Sequence, residues 1–354
     1  MAPTWRNNTI NFVIAMVLLG LFFYFVGVEA IIESVRQASP LFILLGVIAT
    51  FGTFIIRGLN WHITLSMTDH DMELGETLQY YLAALFVYGI NPFGPVGGQP
   101  VMAYILSEDS EKDYEISLAS IFAADLMNTL PFFTFAGLGI LLYVALHPIN
   151  PVITVSIVLA MILATSIALL LFLLFFHRSL AEYVFTWIIG VLNRVLAVVP
   201  YLSKTDVDTE RIGDKIHHFY YTLDQVIDER RNIADILIIA HVGWFLIMVG
   251  LYSFILSMGW TVSFTLLMFI IPIAYVVYYL PLPGGLGGIE VMLTLLLILL
   301  ADLPSASASA AVILFRGSSY GLVMLIGLAV LLHRSIDLSE YTFADDRERM
   351  LPKD

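Results

Sequence analysis

The chain has 354 residues, of which 59% are hydrophobic and only 13% charged, against roughly 25% charged in an ordinary soluble domain. A mean hydropathy of +0.90 over that length excludes a water-soluble globule, whose interior is too small to hide so much apolar surface. The absence of cysteine excludes a disulfide scaffold, a thiolate metal site and a cysteine nucleophile. A formal net charge of −13 lacks the basic footprint of nucleic-acid binding. Excess acid with only Lys112, Lys204, Lys215 and Lys353 as lysines leans toward a salt-adapted or archaeal source.

A membrane helix needs about 20 apolar residues, because ~1.5 Å per residue must cover ~30 Å of hydrocarbon. Ile10–Val28 meets that length without a small-residue cleavage pattern after it, so it reads as a retained first span. Leu41–Leu59, Ile116–Leu146, Val152–Phe176, Leu237–Met258 and Ala308–Leu332 follow as spans. Two further apolar stretches are broken. Thr77–Ile90 runs into Asn-Pro-Phe-Gly-Pro-Val-Gly-Gly-Gln-Pro at 91–100 and resumes over Val101–Leu106. Val262–Leu280 runs into Pro-Leu-Pro-Gly-Gly-Leu-Gly-Gly at 281–288 and resumes as Ile289–Leu303.

Basic residues collect in cytoplasmic loops. Segment 177–232 carries Arg178, Arg194, Lys204, Arg211, Lys215, Arg230 and Arg231, and the tail after Leu332 carries Arg334, Arg347, Arg349 and Lys353. Both are expected in the cytoplasm together with the N-terminus. An even number of crossings then separates them only if 262–303 enters from outside and returns, and 77–106 does the same from the cytoplasm. Thr77–Ile90 covers only about 21 Å as a helix, too little to cross. Fold class is therefore expected to be an all-α polytopic membrane protein of the cytoplasmic membrane. It would have about seven or eight membrane segments, with two re-entrant hairpins in an inverted repeat. The N-terminal half would occupy 1–176, interfacial amphipathic helices 177–232 and the C-terminal half 233–332, with a tail over 333–354. Gly/Pro-interrupted segments in corresponding places of two halves point to a transport site near the midplane, since irregular backbone at membrane depth must be satisfied by protein or a wet cavity.

The string 281–290 places four glycines in five residues, where the backbone must turn with positive φ or approach another group closely. Free amides ahead of a helix starting near Ile289 suit an anion such as phosphate, and 91–100 offers the same ingredients ahead of Val101. Intramembrane ionisable residues are functional candidates. Arg57 is expected near the inner end of its span, snorkelling or facing a ligand. Asp125 sits in a polar run followed by Pro131, Glu290 follows the second tip, and Arg316 is expected to pair with Glu290, Asp125 or a ligand anion. Asp69-His70-Asp71 reads as a solvated face, and His241 as a hydrogen-bonded packing residue. No HExxH, Walker A or GxSxG pattern occurs, so no metal, cofactor or nucleotide site is expected.

The string Pro281–Glu290 resembles the P-x-P-G-G-x-G-x-x-E signature of the lysylphosphatidylglycerol synthase transmembrane-region family of flippase-like proteins, and Asn91–Pro100 resembles that family's N-terminal motif. The family's first motif continues with an acidic and then a basic residue, where this chain carries Gln99 and Met102. The resemblance implies movement of a lipid across the bilayer, and a chain that stops 22 residues after its last span implies translocation without the synthase domain.

On this reading the phosphate of an anionic or polyprenyl-phosphate lipid lies between the tips. Asn91, Gly97, Gly98, Gln99, Gly284, Gly285 and Gly287 would line it, with Arg316 and Arg57 neutralising it. Asp125 and Glu290 would serve as counter-charges or proton carriers. Expected partners are membrane lipids, a second copy of the chain or a separate lipid-modifying enzyme. Rival readings are a membrane-embedded transferase with Glu290 or Asp125 as base, and a non-transporting scaffold.

Overall fold

A computed structural model describes residues 27–68, 70–110, 112–146 and 230–334, with residue 221 and a few positions between 13 and 24. The expected span Val152–Phe176, most of Ile10–Val28, nearly all of the insert 177–232 and the tail beyond 334 lie outside the described residues. Helix α1 is Val28–Gln37, α2 Pro40–Ser66, α3 Leu74–Ile90, α4 Gly94–Ser110 and α5 Tyr114–Leu146; α6 is Arg230–Ser257 and α7 Phe264–Tyr275. Short 3₁₀ turns at Val276–Tyr279 and Pro283–Gly285 lead to α8, Gly288–Ala301. The last helix is α9, Ser305–Arg316, continued through a π-helical turn, Gly317–Gly321, into α10, Leu322–His333.

No strand occurs among the described residues, and five stretches are long and apolar enough to cross a membrane: Pro40–Ser66, Tyr114–Leu146, Ile233–Ser257, Pro283–Ala301 and Ser305–His333. The chain is an all-α polytopic membrane protein. Their apolar residues run all round each helix, as expected where one side meets protein and the other lipid.

Three details differ from expectation. The stretch between the first two expected spans is helical: Gly27 adopts φ 84° and precedes the separate amphipathic helix α1, which carries Glu29, Glu33 and Arg36. Helix α2 runs on to Ser66, so Arg57 sits nine residues from its end, about 14 Å, rather than beside it. The first break is also shorter than 91–100. Asn91 closes α3 and Gly94 already opens α4, which runs through Pro100.

The 33-residue α5 and the α9–α10 helix act as rails shared by the two broken stretches. Hairpin α3–α4 packs on the first half of α5 and on α10; hairpin α7–α8 packs on the second half of α5 and on α9. Trp61, Tyr80, Met102, Leu106, Ile121 and Val323 form the core around the first hairpin. Phe254, Phe269, Leu293, Val312 and Phe315 belong to the core around the second. Close helix approach is bought by missing side chains: a Cβ on Gly139 of α5 would meet Met268 and the Phe269 backbone nitrogen of α7. Helices α2 and α6 pack along their length and complete the bundle. At one end Arg334 ties α10 to the first hairpin, donating to Gln79 Oε1 at 2.8 Å and Tyr80 OH at 3.0 Å and pairing with Glu76 at 3.2 Å.

Candidate functional site

The two breaks touch. Helix α3 and the start of α4 contact the 3₁₀ turns at 276–279 and 283–285. Tyr320 of the π turn donates to the Gly89 carbonyl at 3.3 Å, and its ring lies where a Cβ on Gly284 would go. Gly94 has φ 55°, and a Cβ there would sit 3.1 Å from the Tyr278 carbonyl oxygen. The second break uses glycine as expected: Gly284, Gly285 and Gly287 have φ 58°, 66° and 76°. Gly97 and Gly98 do not form a turn. They lie inside α4, where their bare α-carbons admit the Asn91 side chain and the Tyr88 ring. Gly98 is thus a packing residue, because its amide falls within the helix.

Gly284→Ala tests the second turn. A left-handed alanine costs roughly 1–2 kcal/mol, before the collision with Tyr320. The expected result is a lower thermal unfolding temperature by at least that equivalent, read by tryptophan fluorescence, with Gly75→Ala, where a Cβ meets nothing within 4 Å, as the control.

Asp125 of α5 is enclosed by donors from three helices. Its Oδ1 accepts from Trp61 Nε1 at 2.8 Å, and its Oδ2 accepts from Tyr88 OH and Gln99 Nε2, both at 2.9 Å. Three donors on two oxygens suit an acceptor-only carboxylate. One turn on, Asn128 accepts from Asn60 at 2.9 Å, and its backbone carbonyl accepts from Trp244 Nε1 at 2.7 Å. Gln99 explains the departure from the resembled motif: an acidic residue at 99 would repel Asp125, whereas the amide donates to it. Met102 is 0% exposed in an apolar core.

Glu290 and Arg316 meet. Arg316 Nε donates to Glu290 Oε1 at 2.8 Å, and its terminal nitrogen donates to the Gly284 carbonyl at 2.9 Å, both groups buried. The guanidinium also lies 4.9 Å from the Tyr320 ring centroid. Of the three partners expected for Arg316 the structure selects Glu290, and the pair anchors the second glycine turn. Arg57 is different. Its guanidinium sits 4.9 Å over the Trp244 ring, its Nε is buried without a hydrogen-bond partner, and it forms no ion pair among the described residues. Stacking on Trp244 is the contact that holds the guanidinium in place.

Sequence reasoning missed the aromatic members, Trp61, Tyr88, Trp244 and Tyr320. Nothing in a chain with 13% aromatic residues marks those four. His70 also departs from expectation. It is 2% exposed and bonds Thr68 at 3.1 Å and Ser117 at 3.3 Å, so His70 turns inward while Asp71 stays exposed. His241 is a packing residue as expected, joined to Thr134 at 2.8 Å and the Leu237 carbonyl at 2.7 Å. No group of three or more His, Asp or Glu side chains able to hold a metal occurs among the described residues.

Fold and site together define a class: an integral membrane protein of packed helices, with the Asp125 cluster and the Glu290–Arg316 pair each bonded to residues of a helix break. Residues 8–327 match the model of a family described as lysylphosphatidylglycerol synthase TM region, and the chain belongs to that family. A protein of Methanothermobacter thermautotrophicus described as a UPF0104 membrane protein is 24% identical over 336 residues, spanning 95% of this chain and 98% of its own length. A second of the same description from that organism is 25% identical over 330 residues, spanning 91% and 92%. Another from Pyrococcus horikoshii is 21% identical over 337 residues, spanning 92% and 97%.

Proposed function

We propose that this protein is a translocase that carries the headgroup of a phosphate-bearing lipid, such as an aminoacylated or glyco-phospholipid or a polyprenyl phosphate, across the cytoplasmic membrane. The observation that carries this reading is Arg57, a half-buried arginine that forms no ion pair among the described residues; it attracts the Asp125 carboxylate only through space, because both Asp125 oxygens are taken by Trp61, Tyr88 and Gln99. A guanidinium within a span that no carboxylate bonds directly is a candidate for meeting a substrate. Arg316, its charge already matched by Glu290, holds the second turn in shape rather than binding the phosphate itself.

We read both hairpins as re-entrant. The 17 residues of α3 cover about 25 Å, short of the ~30 Å core; Pro283–Ala301 has the length of a span, but its first residues form the 3₁₀ turn and glycine break, which leaves the 14 residues of α8 to cover about 21 Å. Each hairpin packs near one end of the α5 and α9–α10 rails, with its break toward the other, the arrangement that suits alternating access by rocking around a fixed site. The protein is thus a transporter, with lipid as its partner and both termini in the cytoplasm.

The test is a liposome assay. Purified protein is reconstituted with a fluorescent anionic phospholipid or polyprenyl phosphate, and the outer leaflet is bleached chemically. The expected result is an exchange rate at least tenfold above protein-free vesicles. A folded protein that accelerates no phosphate-bearing lipid overturns the proposal.

A further inference from the structure

Helices α8 and α9 run antiparallel, joined by 302–304, and the Glu290–Arg316 bond fixes their register. Along the seam between that bond and the connection stand Thr294, one turn from Glu290 with its Cβ about 5–6 Å away, and Ser309, two turns from Arg316. All three oxygens left over there, Glu290 Oε2, Thr294 Oγ1 and Ser309 Oγ, are buried without a hydrogen-bond partner. Glu290 is 4% exposed, Thr294 3% and Ser309 0%.

Two other buried hydroxyls among the described residues, those of Thr50 and Ser319, also lack a partner, but neither belongs to α8 or α9 beside the spare Glu290 oxygen. Hydroxyls within helices normally bond the carbonyl three or four residues back. Thr53, Thr64, Ser120, Thr129, Ser253 and Ser318 all do so, at 2.7–3.2 Å. Thr294 and Ser309 do not, and each buried hydroxyl without a partner is normally disfavoured. Such a group calls for a ligand or a strained role.

Charge decides what the ligand is. The deep charges among the described residues are Arg57, Asp125, Glu290 and Arg316, which cancel. A phosphate-bearing headgroup entering this site adds negative charge to a low-dielectric interior, which is unfavourable unless a cation enters with it. Hard oxygen donors, a carboxylate and hydroxyls, suit an alkali cation, and the one spare carboxylate oxygen beside a guanidinium disfavours a divalent ion.

We infer that Glu290 Oε2 and Thr294 Oγ1, with Ser309 Oγ next along the seam, form a site for a small monovalent cation that is carried with the lipid. The inference rests on the translocase reading for its role, but the site itself does not. Binding of the cation and of the phosphate are coupled through charge, and each tightens the other by the same factor.

The experiment measures radiolabelled Na⁺ binding to the purified protein in nanodiscs, with choline keeping ionic strength constant. Saturable binding of one Na⁺ per chain, displaced by unlabelled Na⁺ and not by choline, is expected. Thr294→Val removes the hydroxyl without adding bulk and should fold as well as the parent, yet weaken Na⁺ at least tenfold; Glu290→Gln should weaken it likewise. Adding the phosphate-bearing lipid should tighten Na⁺ by about tenfold. No saturable binding by folded parent protein, or unchanged binding by Thr294→Val, overturns the site. Lipid exchange that rises with acidity in Na⁺-free buffer and is the same in Thr294→Val assigns the coupling to protons and also overturns it. Normal Na⁺ binding without any lipid exchange supports the site and counts against the translocase reading instead.

Discussion

Glu290→Leu should destabilise the protein by about 3–5 kcal/mol, because it leaves the Arg316 guanidinium buried without its carboxylate. Arg316 is 7% exposed, so it has no route to solvent without unpacking α9. Arg316→Leu should cost a similar amount for the converse reason, with the added loss of the donor to the Gly284 carbonyl. The double substitution is the informative one. With both charges gone the interior holds two apolar side chains, and buried ion pairs replaced by apolar groups are often neutral. Most of the stability should return, measured as the midpoint of thermal unfolding across all four proteins. A double mutant as unstable as the sum of the singles would mean that the two charges act separately, and the anchoring role assigned to the pair would be wrong.

Much of this was legible in the sequence, and the physical reason is hydropathy. Span lengths and the two glycine-proline interruptions are set by a solvent only ~30 Å thick, so they show without packing information. Glu290 with Arg316 was one of three pairings open to the sequence, since charges at depth must be matched but a linear chain does not say across which helix. Gly97 and Gly98 show the limit. Their spacing looks like a turn, yet they serve close contacts with Asn91 and Tyr88, a need created only by the fold. The aromatic donors to Asp125 and the ring under Arg57 were hidden for the same reason: tyrosine and tryptophan in an apolar span carry no local mark of the polar atom they will meet. Gln99 was visible as a departure but not its meaning, which requires seeing Asp125 beside it.

Arg57→Leu should behave in the opposite way to the ion pair, and the contrast separates binding from architecture. No ion pair is broken by the change, because Arg57 forms none among the described residues. What is lost is the stacking on Trp244, on the order of 1 kcal/mol, together with the contact to the Tyr81 hydroxyl and the through-space attraction to Asp125. Relief from partly burying a guanidinium offsets some of that loss. Thermal stability should therefore fall far less than in either single substitution of the Glu290–Arg316 pair. Lipid exchange, by contrast, should fall at least tenfold in the liposome assay, since the cation that meets the phosphate is gone. Arg57→Lys should recover part of the rate: the charge remains, but as a single point without the planar fork that grips a phosphate from two sides. A stable Arg57→Leu protein exchanging lipid at the parent rate would remove the cation from the transport site, and with it the main ground for assigning a phosphate-bearing cargo.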